Sequence, residues 1–443
     1  MSQRSGPSWM AQCTSFVGSI FGVSSSHGPG YQEAARRFTK DELFSLQAGF
    51  DKICGSDHSL SKPAFLEFLS LQDLDSFLAG RLFTVVSQGQ DRVTFDQLVI
   101  AKANCLKATS DETASFCFNI LDAGRRGLVS HDSFVTAIQG CAALALHQQA
   151  GANQHPQWAE ATAAGAFEGG SSQGLSLNVF LQWSKQLPAL LTSLKSLLTA
   201  GSVETDSTAI SATNHVKVPR MMYSDLSPSS CLMSPQLAWL LSSRLPPKQS
   251  AVWELLFHSN KHGQSFNTFM GKAAGKGPTL LLVKDKQGQL FGGYASEPWL
   301  KNGKYYGNFS TFLFQLLPKV AMYNPSGANQ NFQYCGHNFA SLPNGIGFGG
   351  QVGYWSLFVN GLFEKGMSHK GATYTNPAPL SADTKFEVDV VECWLTQQPD
   401  EEATASAAGS VLDRFKEDRN LMDLAGKGTS HSAGYREAPP EED

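Results

Sequence analysis

Between Thr279 and Leu395 the chain breaks into short apolar runs: TLLLVKD (279–285), LFGGYAS (290–296), STFLFQLLP (310–318), VAMYNP (320–325), NFQYCG (331–336), YWSLFVN (354–360) and FEVDVVECWL (386–395). Turns such as KDKQGQ, KNGK and NPSG separate them. The runs are rich in β-branched and aromatic residues, which pack on pleated surfaces. Many short strands at even spacing predict an all-β core, and specifically a sandwich. Just upstream, the pattern predicts a helix over Ser234–Ser243, a break at Pro246-Pro247 and a second helix beginning near Trp253.

From about Ala34 to Thr199 the period is helical. Thr39 caps a helix that opens at Glu42-Leu43-Phe44. One shape recurs four times: an apolar helix, a polar loop, a short β-like bite and another helix. The bites are HSLSKPAFLEFL (58–69), DRVTFDQLVI (91–100), RGLVSHDSFV (126–135) and QGLSLNVFLQW (173–183). Such units resemble EF-hands. A Ca²⁺ loop needs oxygens at positions 1, 3 and 5, glycine at 6 and a bidentate Glu at 12. Counting from Asp122, Gly127 fits position 6, but positions 3, 5 and 12 are Gly124, Arg126 and Ser133. In this degenerate loop, Asp122 and Ser130 are the remaining oxygen donors considered. The preceding unit has Val86 and Gln97 at positions 1 and 12, and the first has Ile53 and Ala64. The expectation is a helical scaffold or docking surface without a metal; a calcium-responsive adaptor is the alternative.

Bulk properties narrow the function. Of 443 residues, 16% are charged, and the net charge of −4 comes without a basic block, so nucleic acid is not the expected partner. From Asp400 onward 11 acidic residues face 5 basic ones, so the rest of the chain is slightly positive. Eight cysteines are scattered with no C-x-x-C, a pattern of reduced thiols rather than a disulfide framework. No run reaches the roughly 20 apolar residues of a membrane span. The leader SWMAQCTSFVGSIFGVSSS is weakly amphipathic, and the first 32 residues hold no acid, as in a transit peptide. Ser2 rules out N-myristoylation. The expected divisions are a leader (1–33), a helical EF-hand-like module (34–199), a Ser/Thr-rich linker (200–220), a β domain (221–397) and an acidic tail (398–443). Within the tail, Val411, Leu412, Phe415 and Met422 share one face of a predicted amphipathic helix at about 408–425.

Several motifs imitate catalytic ones. Gly345, Gly347 and Gly350 spell G-x-G-x-x-G, but a turn precedes them and a strand pattern follows, where a dinucleotide loop needs a helix. The expectation is a glycine-rich turn between strands, followed by a strand in which Val352, Tyr354, Ser356 and Phe358 share one face. GQSFN around Ser265 lacks the second glycine of a nucleophile elbow. GKAAGKGPT (271–279) misses the P-loop spacing. His258 and His262 are four apart but without a third ligand. Cys335 and His337 would share a strand face, and a histidine beside a thiol lowers its pKa and makes it oxidisable. The bland reading of Cys335 is a buried core residue. Glu297 is a weak acid/base candidate, with turn bracing as the structural alternative. Trp299, Tyr305, Tyr306, Phe309, Tyr354 and Trp355 crowd the loops, where an exposed subset would anchor a protein partner.

From Trp253 onward, LLFHSNKHGQSFNTF (255–269), FGGYASEPW (291–299), PNGIGFGG (343–350) and VECW (391–394) resemble the TLDc domain in order and spacing, over about Leu237 to Leu395. The residues that carry the match are His262, Gly263, Ser265, Phe266, Gly292, Glu297, Gly345, Gly349, Gly350, Glu392 and Trp394. With EF-hand-like units ahead and SVLDRFKEDRNLMDLAG behind, the chain resembles the mTOR-associated branch of the family and its plant counterparts. The resemblance implies an α+β protein whose β-sandwich is flanked by helices. It implies a non-enzymatic, cofactor-free regulator that binds the V-ATPase and takes part in oxidative-stress resistance or mTOR signalling, with mTOR-pathway proteins as further partners. It implies a cytoplasmic location, with peripheral association on lysosomal or vacuolar membrane. A redox-active protein using Cys335 and His337 is the rival.

Overall fold

The computed structural model describes residues 30–122, 124–146, 157–168, 174–199, 218–224 and 226–397. Its first part is helical: α1 (Tyr31–Ala35), α2 (Lys40–Cys54), α3 (Lys62–Phe68), α4 (Ser76–Val86), α5 (Phe95–Leu106), α6 (Ser110–Leu121), α7 (His131–Ala145), α8 (Trp158–Phe167), α9 (Leu177–Gln186) and α10 (Ala189–Ser196). Local chemistry sets the helix starts. Thr39 with Glu42, Thr94 with Gln97 and Thr109 with Glu112 each form a reciprocal capping box, satisfying backbone N–H groups that have no partner inside the helix.

The bites between helices are two-residue strands that pair antiparallel. β1 (Ser59–Leu60) joins β2 (Val93–Thr94), with Leu60 opposite Val93. β3 (Leu128–Val129) joins β4 (Leu175–Ser176), with Val129 opposite Leu175. Four helix–loop–helix units are therefore coupled as two pairs. Their apolar faces, including Phe50, Phe65, Leu82, Phe118, Phe134 and Phe180, are buried together.

The second part is a β-sandwich. One layer runs β5 (Arg220–Met222), β6 (Val252–His258), β16 (Lys385–Leu395), β7 (Thr279–Asp285), β8 (Leu290–Ala295), β10 (Phe312–Leu317) and β11 (Ala321–Tyr323). The other runs from the start of β16 through β15 (Lys365–Met367), β14 (Leu357–Asn360), β13 (Gly345–Phe348) and β12 (Gln333–Gly336) to β9 (Asn302–Tyr306). β16 belongs to both layers. Lys385–Glu387 pairs with β15, and Val388–Leu395 pairs with β7. A register shift between Val388 and Val390 lies close to this crossing, as expected where a bulge bends a strand. Phe291, Leu313 and Val283 from one layer meet Ile346, Phe348 and Val359 from the other. This agrees with the expected α+β class.

The outer face of the first layer is not bare. Leu280, Leu282, Tyr294, Phe312, Phe314 and Trp394 join one continuous core with α11 (Pro235–Ser242) and the helical region. Trp158 of α8 meets Trp239 of α11 edge-on at 6.3 Å. The Val320 N–H donates to the Ala161 carbonyl at 2.8 Å. A Cβ on Gly165 would lie 1.9 Å from the Val320 carbonyl oxygen, so only glycine permits this approach.

Three local expectations change. The helix expected near Trp253 is strand β6, because pairing with β5 and β16 overrides the helix propensity of Glu254 and Leu255. Gly345 and Gly347 lie within strand β13, and the turn begins only at Gly349 and Gly350, both at positive φ. The strand expected from Tyr354 starts at Leu357, because Gln351 and Tyr354 close a turn on each other. A Cβ on Gly345 would come within 2.2 Å of the Val359 carbonyl, so close packing explains that glycine. Of the expected linker, residues up to 217 lie outside the described part, and Arg220 already pairs with Val252.

Candidate functional site

The sandwich buries one carboxylate completely. Glu392 sits on β16 with no exposed surface. Its Oε1 accepts from the Leu232 N–H at 2.5 Å, and Oε2 accepts from the Met233 N–H at 3.2 Å and the Trp394 Nε1–H at 2.8 Å. Burial is the largest influence on its pKa and pushes it up to about 7, against the lowering effect of the three donors. His258, at the end of β6, places Nε2 3.6 Å from Oε1. Its Nδ1 accepts from the Asn260 N–H, so Nε2 carries the proton and donates to the Ser230 carbonyl at 3.2 Å. Burial lowers the His258 pKa, which favours this neutral form.

His262 stands beside this pair, its Nδ1 accepting the His258 backbone N–H at 3.0 Å. The two histidines are thus neighbours through the backbone rather than co-ligands. No group of three or more metal-ligating side chains exists among the described residues. Ser259 accepts from the Val391 N–H, and Tyr223 meets Trp394 edge-on at 5.5 Å. Together these contacts fasten the 230–233 segment and the end of β6 to β16. Sequence reasoning named Glu392 and Trp394 but missed Leu232 and Met233. Their contribution is backbone N–H, which carries no side-chain signature.

The other motif residues serve packing and turns. Gly263 ends α12 (Ser259–His262) at positive φ. Ser265 caps α13 (Phe266–Ala273) by accepting from the Thr268 N–H, which leaves its hydroxyl in a helix cap rather than a nucleophile elbow. The P-loop-like stretch begins in the last turn of α13 and leads into β7, whereas a phosphate loop must feed a helix. A Cβ on Gly292 would strike the Leu281 carbonyl at 1.9 Å, and one on Gly350 the Tyr354 carbonyl at 2.1 Å. A Cβ on Gly349 would come within 2.6 Å of Ser356 Oγ. Glu297 accepts from Asn308 at 2.8 Å, and its backbone exchanges hydrogen bonds with Gln333. It braces the loop that leads to β9.

Cys335 does not have the surroundings expected of a reactive thiol. It is fully buried, its Sγ lies 3.5 Å from Met270 Sδ, and burial pushes its pKa up to about 12. His337 falls beyond the end of β12 and packs tilted against Phe266, with ring centroids 5.1 Å apart. Burial lowers the His337 pKa, so the imidazolium that would draw out a thiolate is disfavoured. In the helical region the Asp122 carboxylate accepts from the Arg126 and Gly127 N–H groups, and Ser130 caps α7 through the Ser133 N–H.

The aromatic loop residues separate cleanly. Trp299 and Trp355 are core, and Tyr305 and Tyr306 are half-buried. Phe309 is 58% exposed, Tyr354 51% and Val352 52%. Phe309 rests on Phe332, whose carbonyl accepts from Gly349 of the turn that carries Val352 and Tyr354. Tyr354 stacks on His369 at 4.1 Å. Two surface clefts, of about 560 and 640 Å³, are lined by other residues, among them Lys286, Lys365 and Lys385 in the first and Asn104, Phe116 and Asn119 in the second. Val411, Leu412, Phe415 and Met422 lie outside the described residues.

Comparison with known proteins gives a match to the TLDc domain family over residues 226–397. The chain is 27% identical to the MTOR-associated protein MEAK7 of Danio rerio, across 93% of this chain and 98% of that one. It is 36% identical to the Homo sapiens protein of the same name, over 46% of this chain and 44% of the relative. It is 31% identical to Oxidation resistance protein 1 of Rattus norvegicus, over 40% of this chain and 20% of the relative.

Proposed function

We propose that this chain, whose residues 226–397 match the TLDc domain family, is a non-enzymatic regulatory protein that works by binding other proteins. One contrast carries the reading. Two groups whose chemistry the fold alters, Glu392 and Cys335, are sealed inside the sandwich, while Phe309, Val352 and Tyr354 face outward on its loops. Exposed aromatics on a rigid frame are what a protein partner buries. Relatives named for mTOR association and for oxidation resistance support a role in mTOR signalling or oxidative-stress resistance. The proposed partner is the V-ATPase, gripped by the sandwich loops together with the 398–443 segment, whose Val411, Leu412, Phe415 and Met422 repeat at helical spacing. MTOR-pathway proteins are further candidates. The working site is cytoplasmic, peripheral to lysosomal or vacuolar membrane; among the described residues no helix is long and apolar enough to cross one.

The test is an affinity pull-down with the intact protein from a cytosol-plus-membrane extract, in Ca²⁺ and in chelator, read by mass spectrometry. Recovery of V-ATPase subunits under both conditions, lost on deleting residues 405–443, supports the reading. Recovery in neither overturns the pump assignment. Recovery only with Ca²⁺ favours the calcium-responsive adaptor.

A further inference from the structure

Two arginines of the helical region donate to oxygens at ligand positions of loops of this kind. In a twelve-residue Ca²⁺ loop, side chains at positions 1, 3, 5 and 12 and the carbonyl of position 7 converge on the ion, which ties the loop's start to its end. Strand pairing fixes the numbering here, because Leu60 opposite Val93 and Val129 opposite Leu175 are the position-8 residues of coupled loops. The first loop then runs 53–64 and the third 122–133.

In the first loop, position 5 is Asp57 and position 7 is Ser59. Arg92, from the partner loop, puts Nη2 3.0 Å from Asp57 Oδ2 and 2.9 Å from the Ser59 carbonyl, and Nε 2.7 Å from Ser59 Oγ. In the third loop, positions 1 and 12 are Asp122 and Ser133. Arg81, on α4, donates Nη2 to Ser133 Oγ at 3.2 Å and Nη1 to the carbonyl of Leu121, the residue just before position 1. Asp122 attracts the same guanidinium electrostatically, and the Phe77 ring covers it at 4.3 Å. A guanidinium offers a delocalised positive charge and five fixed donors, so it satisfies oxygens that would otherwise need a metal.

We propose that Arg81 and Arg92 are built-in cations: each occupies the ion's place in its loop, holds the helix pair in one arrangement at any calcium level and keeps a divalent cation out. The helical region is on this account a fixed support for the outer sheet face. This stands apart from the identity of any partner.

The test restores acidic ligands to the third loop of the full chain, as Gly124→Asp, Arg126→Asp and Ser133→Glu together, with Arg81 kept or changed to Met. Calcium binding is measured by calorimetry and by Tm in Ca²⁺ against chelator. The expected result is binding at least about 10-fold tighter, in the micromolar-to-millimolar range of such loops, when Arg81 is Met. Equal affinity in both backgrounds overturns the proposal. If neither background binds calcium, Arg81→Met and Arg92→Met in the otherwise native chain decide. A Tm loss of more than about 2 °C in each, unrestored by calcium, supports the proposal, and an unchanged Tm in either overturns it.

Discussion

The helical region and the sandwich are stabilised at different ranges along the chain. In the helices the capping and loop-closing contacts are local: Thr39 reaches Glu42, Thr94 reaches Gln97, and Asp122 is satisfied by Arg126 and Gly127. In the sandwich they are distant. Glu392 fastens Leu232 from 160 residues away, and Asp285 accepts from Ser381 across 96. The difference teaches where charge can go. On the loops of the helical region, the exposed Asp57 carboxylate and the Ser59 carbonyl are answered by Arg92, and the buried Asp122 by backbone N–H groups. Inside the sandwich Glu392 recruits three donors, and burial raises its pKa.

The contrast breaks most visibly where the two regions touch. Gly165→Val forces a side chain into the Val320 carbonyl, and we expect a loss of about 4 kcal/mol or more. Calorimetry should then show the helical part and the sandwich unfolding separately; a single transition at the native Tm would mean that the shared core is not shared energetically. Next comes the buried carboxylate. The folded pKa of Glu392, about 7, exceeds its ordinary value of 4.5, so its contribution is fully present below pH 4.5 and is lost as pH rises through 7. The stability gap between wild type and Glu392→Gln should therefore narrow by on the order of 3 kcal/mol across that window and stay constant above it. Denaturant titrations at several pH values measure this, and a gap that widens with pH contradicts it.

Smaller effects sharpen the local side. Thr39→Ala removes one capping box and should cost about 1 kcal/mol, with Thr109→Ala similar, since the same geometry recurs. Both are read from chemical-denaturation midpoints. Least of all in stability, Phe309→Ala with Tyr354→Ala should change it by less than about 1 kcal/mol, because both side chains are largely exposed. The same pair should reduce partner recovery in the pull-down; undiminished recovery would remove the loop aromatics from the interaction surface.

The sequence by itself determined the elements that obey local rules. Runs rich in β-branched and aromatic residues specified strands, Thr39 ahead of Glu42 specified a helix start, and four ordered motifs pointed to the TLDc domain. Tertiary structure decided what depends on partners far along the chain. The segment after Trp253 became a strand because β5 and β16 flank it. Gly345 and Gly347 became strand residues because β12 and β14 pair with them on either side, and at Gly345 the Val359 carbonyl lies too close for a Cβ. Cys335 and Glu392 took their character from burial, which no spacing of residue types encodes. Arg81 reads in sequence as an ordinary helical cation. It meets Leu121 and Ser133 only because α4 packs against the end of α6 and the start of α7, an arrangement set by their shared apolar faces rather than by charge.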